Sequence, residues 1–302
     1  MRKLKSMLYA WISAKYMHGC SNYNSVEVRR GCRSKAQGRA IFAKNNVPHA
    51  RGLIFFWPWS AHAFAKQHGF PLVIKPNVSG YSRGSYFPIT DFKALYKAIF
   101  WAKMWWPTTV IEQYLSGANY RVLTTDHGFI SVIRRYPPFV TGNGRDSIDQ
   151  LIDAENVIRK QMNLHPTIYP IPKSDQVKAH LKKQKWDLQS TPEEGVQIEL
   201  FYRVALAPGG VVEIIDQASI PDVNRDLFFK VVKMFGANVL GTDVIFEKGI
   251  EIPYTEQKCI FIEVNSRPYM KMHYFPRYGV AEDFSAVLAE LEDLEISDKD
   301  IY

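Results

Sequence analysis

Two short runs near the C-terminal end constrain this chain more than any other feature: Gly241-Thr242-Asp243-Val244-Ile245-Phe246 and Ile260-Phe261-Ile262-Glu263-Val264-Asn265-Ser266-Arg267-Pro268. Both are β-branched and apolar and are bounded by glycine, proline or polar clusters, the pattern of strands. Side chains alternate across a strand, so Glu263 and Asn265 share one face while Ile262 and Val264 take the other. Residues 247–258 can turn the chain back antiparallel, which would set Asp243 on the same sheet face. Two carboxylates and an amide oxygen so placed are hard ligands that suit Mg²⁺, above all Mg²⁺ carrying nucleotide phosphates. The same residues also suit the exposed faces of two ordinary strands, and the pair alone leaves both readings open.

Bulk properties narrow the choice of partner. A length of 302 residues fits one large domain or two to three small ones, and 46% apolar content supplies a sizeable core. A net charge of +8 and a pI near 9.2 favour anionic ligands. The basic residues are scattered in small clusters, so a nucleic-acid role rests on net charge alone and is disfavoured. Cys20, Cys32 and Cys259 make neither a disulfide framework nor a paired-cysteine metal site, which indicates a reduced, cytoplasmic protein. The first dozen residues only faintly resemble a signal peptide, because the apolar run is short and no small-residue cleavage site follows. They read better as an amphipathic helix, and no apolar run is long enough for a spanning helix.

The chain upstream of the opening pair carries further phosphate-type signals. A helix over 34–44 with Ser34 as N-cap puts Lys35 in the first turn, where a cation is unfavourable for the dipole unless an anion lies near. A helix over 60–68 leads to the strand 70–76, which ends in Lys75-Pro76. The segment from Asn77 to Ser85 then offers Gly80, Arg83 and Gly84, able to bring backbone N–H groups to phosphate oxygens or simply to turn a hairpin. It lacks the spacing of a P-loop. Residues 91–105 read as an aromatic-rich helix packed in the core. Residues 108–115 form a strand, and Asp126-His127-Gly128 joins two more in a hairpin. Helices are expected over 147–160, 175–185 and 221–235, and two strands over 196–207 and 210–215 joined by Pro208-Gly209. No Ser-His-Asp set or histidine metal site stands out, although His273 lies close behind the Glu-x-Asn strand.

In order, these segments resemble the ATP-grasp superfamily, most closely the amino-acid ligases of the cyanophycin synthetase kind. The resemblance spans about residues 34–290. It rests on Ser34-Lys35 with Asn46-Val47-Pro48, Val73-Ile74-Lys75-Pro76, the 79–84 loop and Ile111-Glu112-Gln113-Tyr114. It continues through Arg121-Val122-Leu123 with Val140 to Arg145, Pro208-Gly209-Gly210, Gly241 to Ile245, and Glu263 to Pro268 reaching Met272-His273.

The resemblance implies an α+β fold of two α/β subdomains whose antiparallel sheets grip ATP, without a full preceding domain. It divides the chain into a basic segment 1–33, a part 34–115 with the small lid subdomain, and a catalytic part 116–302. It assigns Lys35 and Lys75 to phosphates, with the Gly80, Arg83 and Gly84 loop closing over them. Glu112, Gln113, Tyr114 and Leu115 would meet adenine, Glu112 accepting from its amine, and Asn119 would lie at the ribose. Asp243, Glu263 and Asn265 would hold Mg²⁺, two ions in all, with Mn²⁺ as a substitute. Arg203, with Lys75, would serve the transferred phosphate, and Arg134, Arg267, Tyr269 and His273 the substrate. The implied activity is an ATP-dependent carboxylate–amine ligase working through an acyl phosphate, on a small-molecule or peptide carboxylate and an amine. A homodimer mate or partner protein would compensate for the short N-terminal segment. Three positions depart from the pattern: Asn119 replaces an acid, Ala205 an asparagine and Tyr269 a glycine. They leave two further readings open, an ATP-binding regulatory or scaffold module and a phosphotransferase.

Overall fold

The computed structural model describes residues 23–32, 35–77 and 84–292. The expected cap Ser34, the loop residues Gly80 and Arg83, Cys20 and the N-terminal helix lie outside the described residues. In chain order the elements begin with α1 (Val26–Cys32), α2 (Lys35–Lys44), β1 (Gly52–Phe55), α3 (Pro58–His68), β2 (Leu72–Pro76), β3 (Tyr86–Ile89) and α4 (Phe92–Lys103). Next come β4 (Thr109–Gln113), β5 (Ala118–Thr125), β6 (Ile130–Tyr136), β7 (Phe139–Thr141), α5 (Ile148–Gln161) and α6 (Asp175–Lys183). The chain closes with β8 (Gln197–Glu199), β9 (Val211–Ile214), α7 (Asp222–Phe235), β10 (Val239–Phe246), β11 (Cys259–Asn265), α8 (Lys271–Tyr274) and α9 (Ser285–Glu292). Among the described residues no helix is long and apolar enough to cross a membrane.

Two compact units result. The first joins Met1–Ile130, Ala218–Tyr269 and Ser285–Tyr302, and the second joins Ser131–Gln217 and Met270–Phe284. These boundaries fall elsewhere than at 34–115 and 116–302, because β10 returns after a long excursion to pair with β5.

The first unit holds two antiparallel sheets. One has the order β1-β4-β2-β3 and packs with α3 and α4 around Phe55, Phe64, Leu72, Ile74, Leu95 and Ile111. Helix α4 starts where the Asp91 carboxylate accepts from the Ala94 amide at 2.7 Å, a side-chain N-cap. Its core face is Leu95, Ala98, Ile99 and Ala102, all aliphatic. The aromatic residues expected inside are outside instead: Tyr96, Phe100 and Trp101 are exposed. They recur at a spacing that puts them on the face opposite Leu95 and Ile99. Strand β1 is absent from the sequence reading, since four residues with one buried side chain give no periodic signal.

The other sheet of this unit runs β11-β10-β5. Helix α7 covers it with the expected stripe of Leu227, Phe228, Val231, Val232 and Phe235, and ends at Gly236 in the left-handed region (φ 59°). Phe42 of α2 meets Phe235 and Phe261 edge-on, at 5.9 and 5.6 Å between ring centroids. The Asp126-His127-Gly128 turn closes as expected, with the Thr125 amide donating to the Phe129 carbonyl at 3.0 Å.

In the second unit β6 pairs antiparallel with β9, and β7 with β8. The core gathers Ile148, Ile152, Ile171, Val177, Leu181 and Leu200 beneath α5 and α6. Helix α5 opens on a capping box, in which Ser147 and Gln150 satisfy each other's backbone amides. Of the two strands expected over 196–207 and 210–215, the extended parts are shorter, 197–199 and 211–214, and they do not pair with each other. β8 ends at Glu199, and the last bond of its register runs from the Leu200 amide to the carbonyl of Pro138 (2.8 Å), a residue with no N–H to extend the ladder, while the Leu200 side chain enters the core. β8 and β9 therefore have different partners, β7 and β6.

Candidate active site

The opening strand pair forms as its sequence implies. β10 and β11 are antiparallel, with Gly241 opposite Asn265 and Asp243 directly opposite Glu263. Directly opposed residues share a sheet face, so both carboxylates and the amide lie on one side. A register shift follows Asp243, and pairing resumes beyond it with Val244 opposite Phe261. Asp243 is 6% exposed, which removes the reading of an ordinary solvent face. The Asn265 amide nitrogen donates to the Gly241 carbonyl at 3.3 Å.

Each carboxylate here carries a cation. Arg121, the β5 neighbour of Asp243 in the sheet, grips it with two parallel bonds: Nε to Oδ1, and Nη2 to Oδ2 at 3.0 Å. Lys35 Nζ lies 3.2 Å from Glu263 Oε2. That anion offsets the unfavourable position of a lysine at the first residue of α2.

A second centre lies on the four-stranded sheet. Glu112 of β4 is buried, and Lys75 of β2 reaches its Oε2 at 2.5 Å while Arg39 of α2 reaches its Oε1 at 2.8 Å. The approach of Arg39 requires Gly52 on β1. A Cβ there would sit 2.6 Å from Glu112 Cγ and 2.8 Å from Arg39 Nη1. Beyond Glu112 the Gln113 amide donates to the Arg51 carbonyl (2.9 Å) and the Tyr114 amide to the Pro71 carbonyl (3.2 Å). The Tyr114 ring stacks with Phe87 of β3 at 6.2 Å. Leu115 is half-buried, as is Asn119, which pairs in register with Ile245. Gly84 takes a positive φ of 71° at the entry to β3.

The remaining expected residues are dispersed. Arg267 and Tyr269, half-buried, follow β11 in the first unit. Arg203, Arg134 and His273 belong to the second unit. There the Arg203 guanidinium lies 4.9 Å from the Tyr202 ring centre and Arg134 lies 4.7 Å from that of Tyr136. His273 is 1% exposed and shares a 2.8 Å hydrogen bond with Ser131 Oγ, facing the interior of its unit.

Three residues of the first unit escaped the sequence reading. Arg121 was visible only as part of a motif, and its register with Asp243 depends on a strand pairing far apart in sequence. Arg39 stands four residues after Lys35, on the same helix face, and that spacing is a signal for a second cation. Asn24 fastens the chain end of this sheet: its amide donates to the Val239 and Ser266 carbonyls, both at 2.7 Å, and its oxygen accepts from the Asn238 amide at 2.9 Å.

The donor set fits a hard divalent cation. Asp243, Glu263 and Asn265 offer only oxygen ligands, and cationic side chains already face both carboxylates. Among the described residues no group of three His, Cys, Asp or Glu side chains is gathered.

No family model matches the chain. It is 28% identical over 267 residues to cyanophycin synthetase from Trichormus variabilis, an alignment covering 87% of this chain and 29% of that protein. The chain thus spans less than a third of the length of the curated relatives it matches. A bifunctional glutathione synthetase from Pasteurella multocida superposes with a TM-score of 0.65 at 22% identity, over 90% of this chain and 38% of that one. The ATP-grasp ligase PsnB, solved with a phosphomimetic precursor variant, Mg and ADP, superposes with a TM-score of 0.53 at 15% identity, over 97% of this chain and 68% of that one. These structural likenesses establish the fold.

Proposed function

We propose that the chain is a member of the ATP-grasp superfamily and works as an ATP-dependent carboxylate–amine ligase. One observation carries the reading. Three buried or half-buried carboxylates, Glu263, Asp243 and Glu112, each face a cation, and two of those cations are the lysines expected at phosphate. In this reading a substrate carboxylate oxygen takes the terminal phosphoryl group of ATP and ADP leaves. An amine then attacks the acyl carbon, the C–O bond to phosphate breaks, and the nitrogen sheds a proton to give the amide.

Lys35 and Lys75 supply positive charge to phosphate oxygens, the electrostatic part of such catalysis. Arg203 serves the transferred phosphoryl group and Arg134, Arg267, Tyr269 and His273 the substrate side. The backbone from Glu112 to Leu115 lines the base, Asn119 faces the ribose, and Gly80, Arg83 and Gly84 cover the phosphates. Asp243, Glu263 and Asn265 would hold Mg²⁺, one or two ions with Mn²⁺ as a substitute, and a bound ion would neutralise phosphate charge. Arg121 acts as a positioning residue, fixing the Asp243 carboxylate. An amino-acid or peptide substrate agrees with the precursor bound to PsnB. A reducing, cytoplasmic setting agrees with Cys32 and Cys259 as thiols, burial pushing the former up to about 12.

The test is to supply ATP, Mg²⁺ and pools of amino acids and peptides. ADP together with an amide product is expected. Glu263→Gln should abolish that turnover while the unfolding midpoint stays close to the parent's. Full activity in Glu263→Gln would remove the metal assignment, and a stable phosphorylated product would remove the amine step.

A further inference from the structure

The surface of α3 and α4 is unlike the rest of the molecule. Five of the seven tryptophans lie between residues 57 and 106, and all five are exposed, Trp59 at 71%. Phe56 and Phe100 are exposed beside them, and Met104 completes the ridge at the end of α4. Folding normally leaves single apolar side chains outside, whereas contiguous large ones mark a surface that meets something.

Several of these side chains pack on one another. Phe56 lies edge-on against Trp57 (5.1 Å) and Phe100 against Trp101 (5.2 Å). Lys103, at the end of α4, brings a cation to the first of these pairs. Its Nζ lies 5.1 Å from the ring centres of both Phe55 and Phe56 and donates to the Pro107 carbonyl at 2.8 Å. Farther along, Tyr96 of α4 stacks on His62 of α3 and shares a 2.9 Å hydrogen bond with it. The exposed side of α4 thus carries Tyr96, Phe100, Trp101 and Met104 with Lys93 and Lys97 among them.

Charge selects the occupant. Residues 51–108 hold seven Lys and Arg but a single acid, Asp91, and that acid is engaged as the α4 cap. A second copy of this face would set Lys93 and Lys97 against themselves, a like-charge juxtaposition that opposes pairing. Tryptophan and phenylalanine beside lysine are the composition of elements seated at a lipid headgroup boundary, where aromatic rings sit among headgroups and lysines reach anionic ones. We propose that the Trp- and Lys-rich face formed by α3 and α4 docks the protein peripherally on an anionic lipid bilayer.

The test uses the full chain with vesicles of phosphatidylcholine alone and of phosphatidylcholine mixed with phosphatidylserine. Co-sedimentation with the anionic vesicles only is expected, with a blue shift of tryptophan emission and quenching by brominated lipid. Raising ionic strength from about 0.1 to about 1 M, which shortens the screening length from about 10 to 3 Å, should release the protein. A Trp59→Ser/Trp101→Ser variant should lose about ten-fold or more in vesicle affinity, and Lys93→Glu/Lys97→Glu should lose the preference for anionic lipid. Circular dichroism verifies that both variants keep the fold. Equal binding to neutral vesicles, binding that survives both variants, or self-association with no vesicle binding overturns the proposal. So does binding to an acidic protein through this face with no vesicle binding.

Discussion

Arg121 and Asp243 show how much of a site can rest on one pair. Both are under a tenth exposed and are joined by two hydrogen bonds, so each needs the other. Asp243→Asn should cost about 3–5 kcal/mol, because it strands the Arg121 charge, and Arg121→Met should cost a similar amount by stranding the carboxylate. Asp243→Leu/Arg121→Met should recover most of that loss, since replacing both members removes the buried charge altogether. Urea unfolding of the three variants measures this directly, and a double variant less stable than either single one would refute the account. The sequence shows the acid readily, as a charge inside an apolar strand. It conceals the arginine, because the partner is set by cross-strand register between residues more than a hundred positions apart. Glu112 teaches the same lesson. Its sequence shows an acid on a strand but not its partners, Lys75 and Arg39, which take one oxygen each.

At the scale of elements, helices with caps were the most legible. Ser147 with Gln150, and Pro221 before a stripe ending at Gly236, fix α5 and α7 to within a residue or two. Short strands were not legible. β1, β3 and β7 have three or four residues each, too few for alternation to show, and β8 ends where a core contact overrides β-propensity. The aromatic residues of α4 misled for a different reason, since hydrophobicity does not say which of two apolar faces is buried. In β1 the important residue has no side chain. Gly52→Ala would push a methyl group into the Ile111 carbonyl oxygen as well as into Glu112 and Arg39, and should destabilise by about 1–3 kcal/mol through overpacking. The same variant should also weaken nucleotide binding, measured by titration calorimetry. An unchanged affinity together with unchanged stability would show that Arg39 needs no such clearance.

At the scale of the whole molecule, a pH-dependent contribution to stability comes from a carboxylate within the second unit. Glu155 of α5 bonds Arg159 at 2.8 Å and Arg277 at 2.9 and 3.0 Å, joining α5 to the segment after α8. Burial alone would raise its pKa, but the hydrogen bonds from Arg277 and Arg159 outweigh burial and hold the carboxyl below its ordinary 4.5. A carboxyl lowered on folding stabilises fully above the unfolded value and loses that contribution as pH falls through the folded one. The stability difference between the parent and Glu155→Gln should therefore be constant from neutrality to about pH 5 and shrink below about pH 4.5. Denaturant titrations along a pH series provide the measurement, and a difference that grows toward acid would reverse the assignment. The unit boundaries themselves were hidden from sequence, because both units are assembled from separated stretches of chain. One feature of the first unit carries a further consequence for the proposed chemistry. Lys35 can neutralise Glu263 or a phosphate oxygen, but its single ammonium group cannot serve both fully. A divalent cation held at Glu263 would leave the lysine to a phosphate oxygen, and a phosphate that took the lysine would leave Glu263 to the cation. Metal and nucleotide would thus be thermodynamically linked through one side chain, each raising the affinity of the other, with Lys35 as the shared counter-ion.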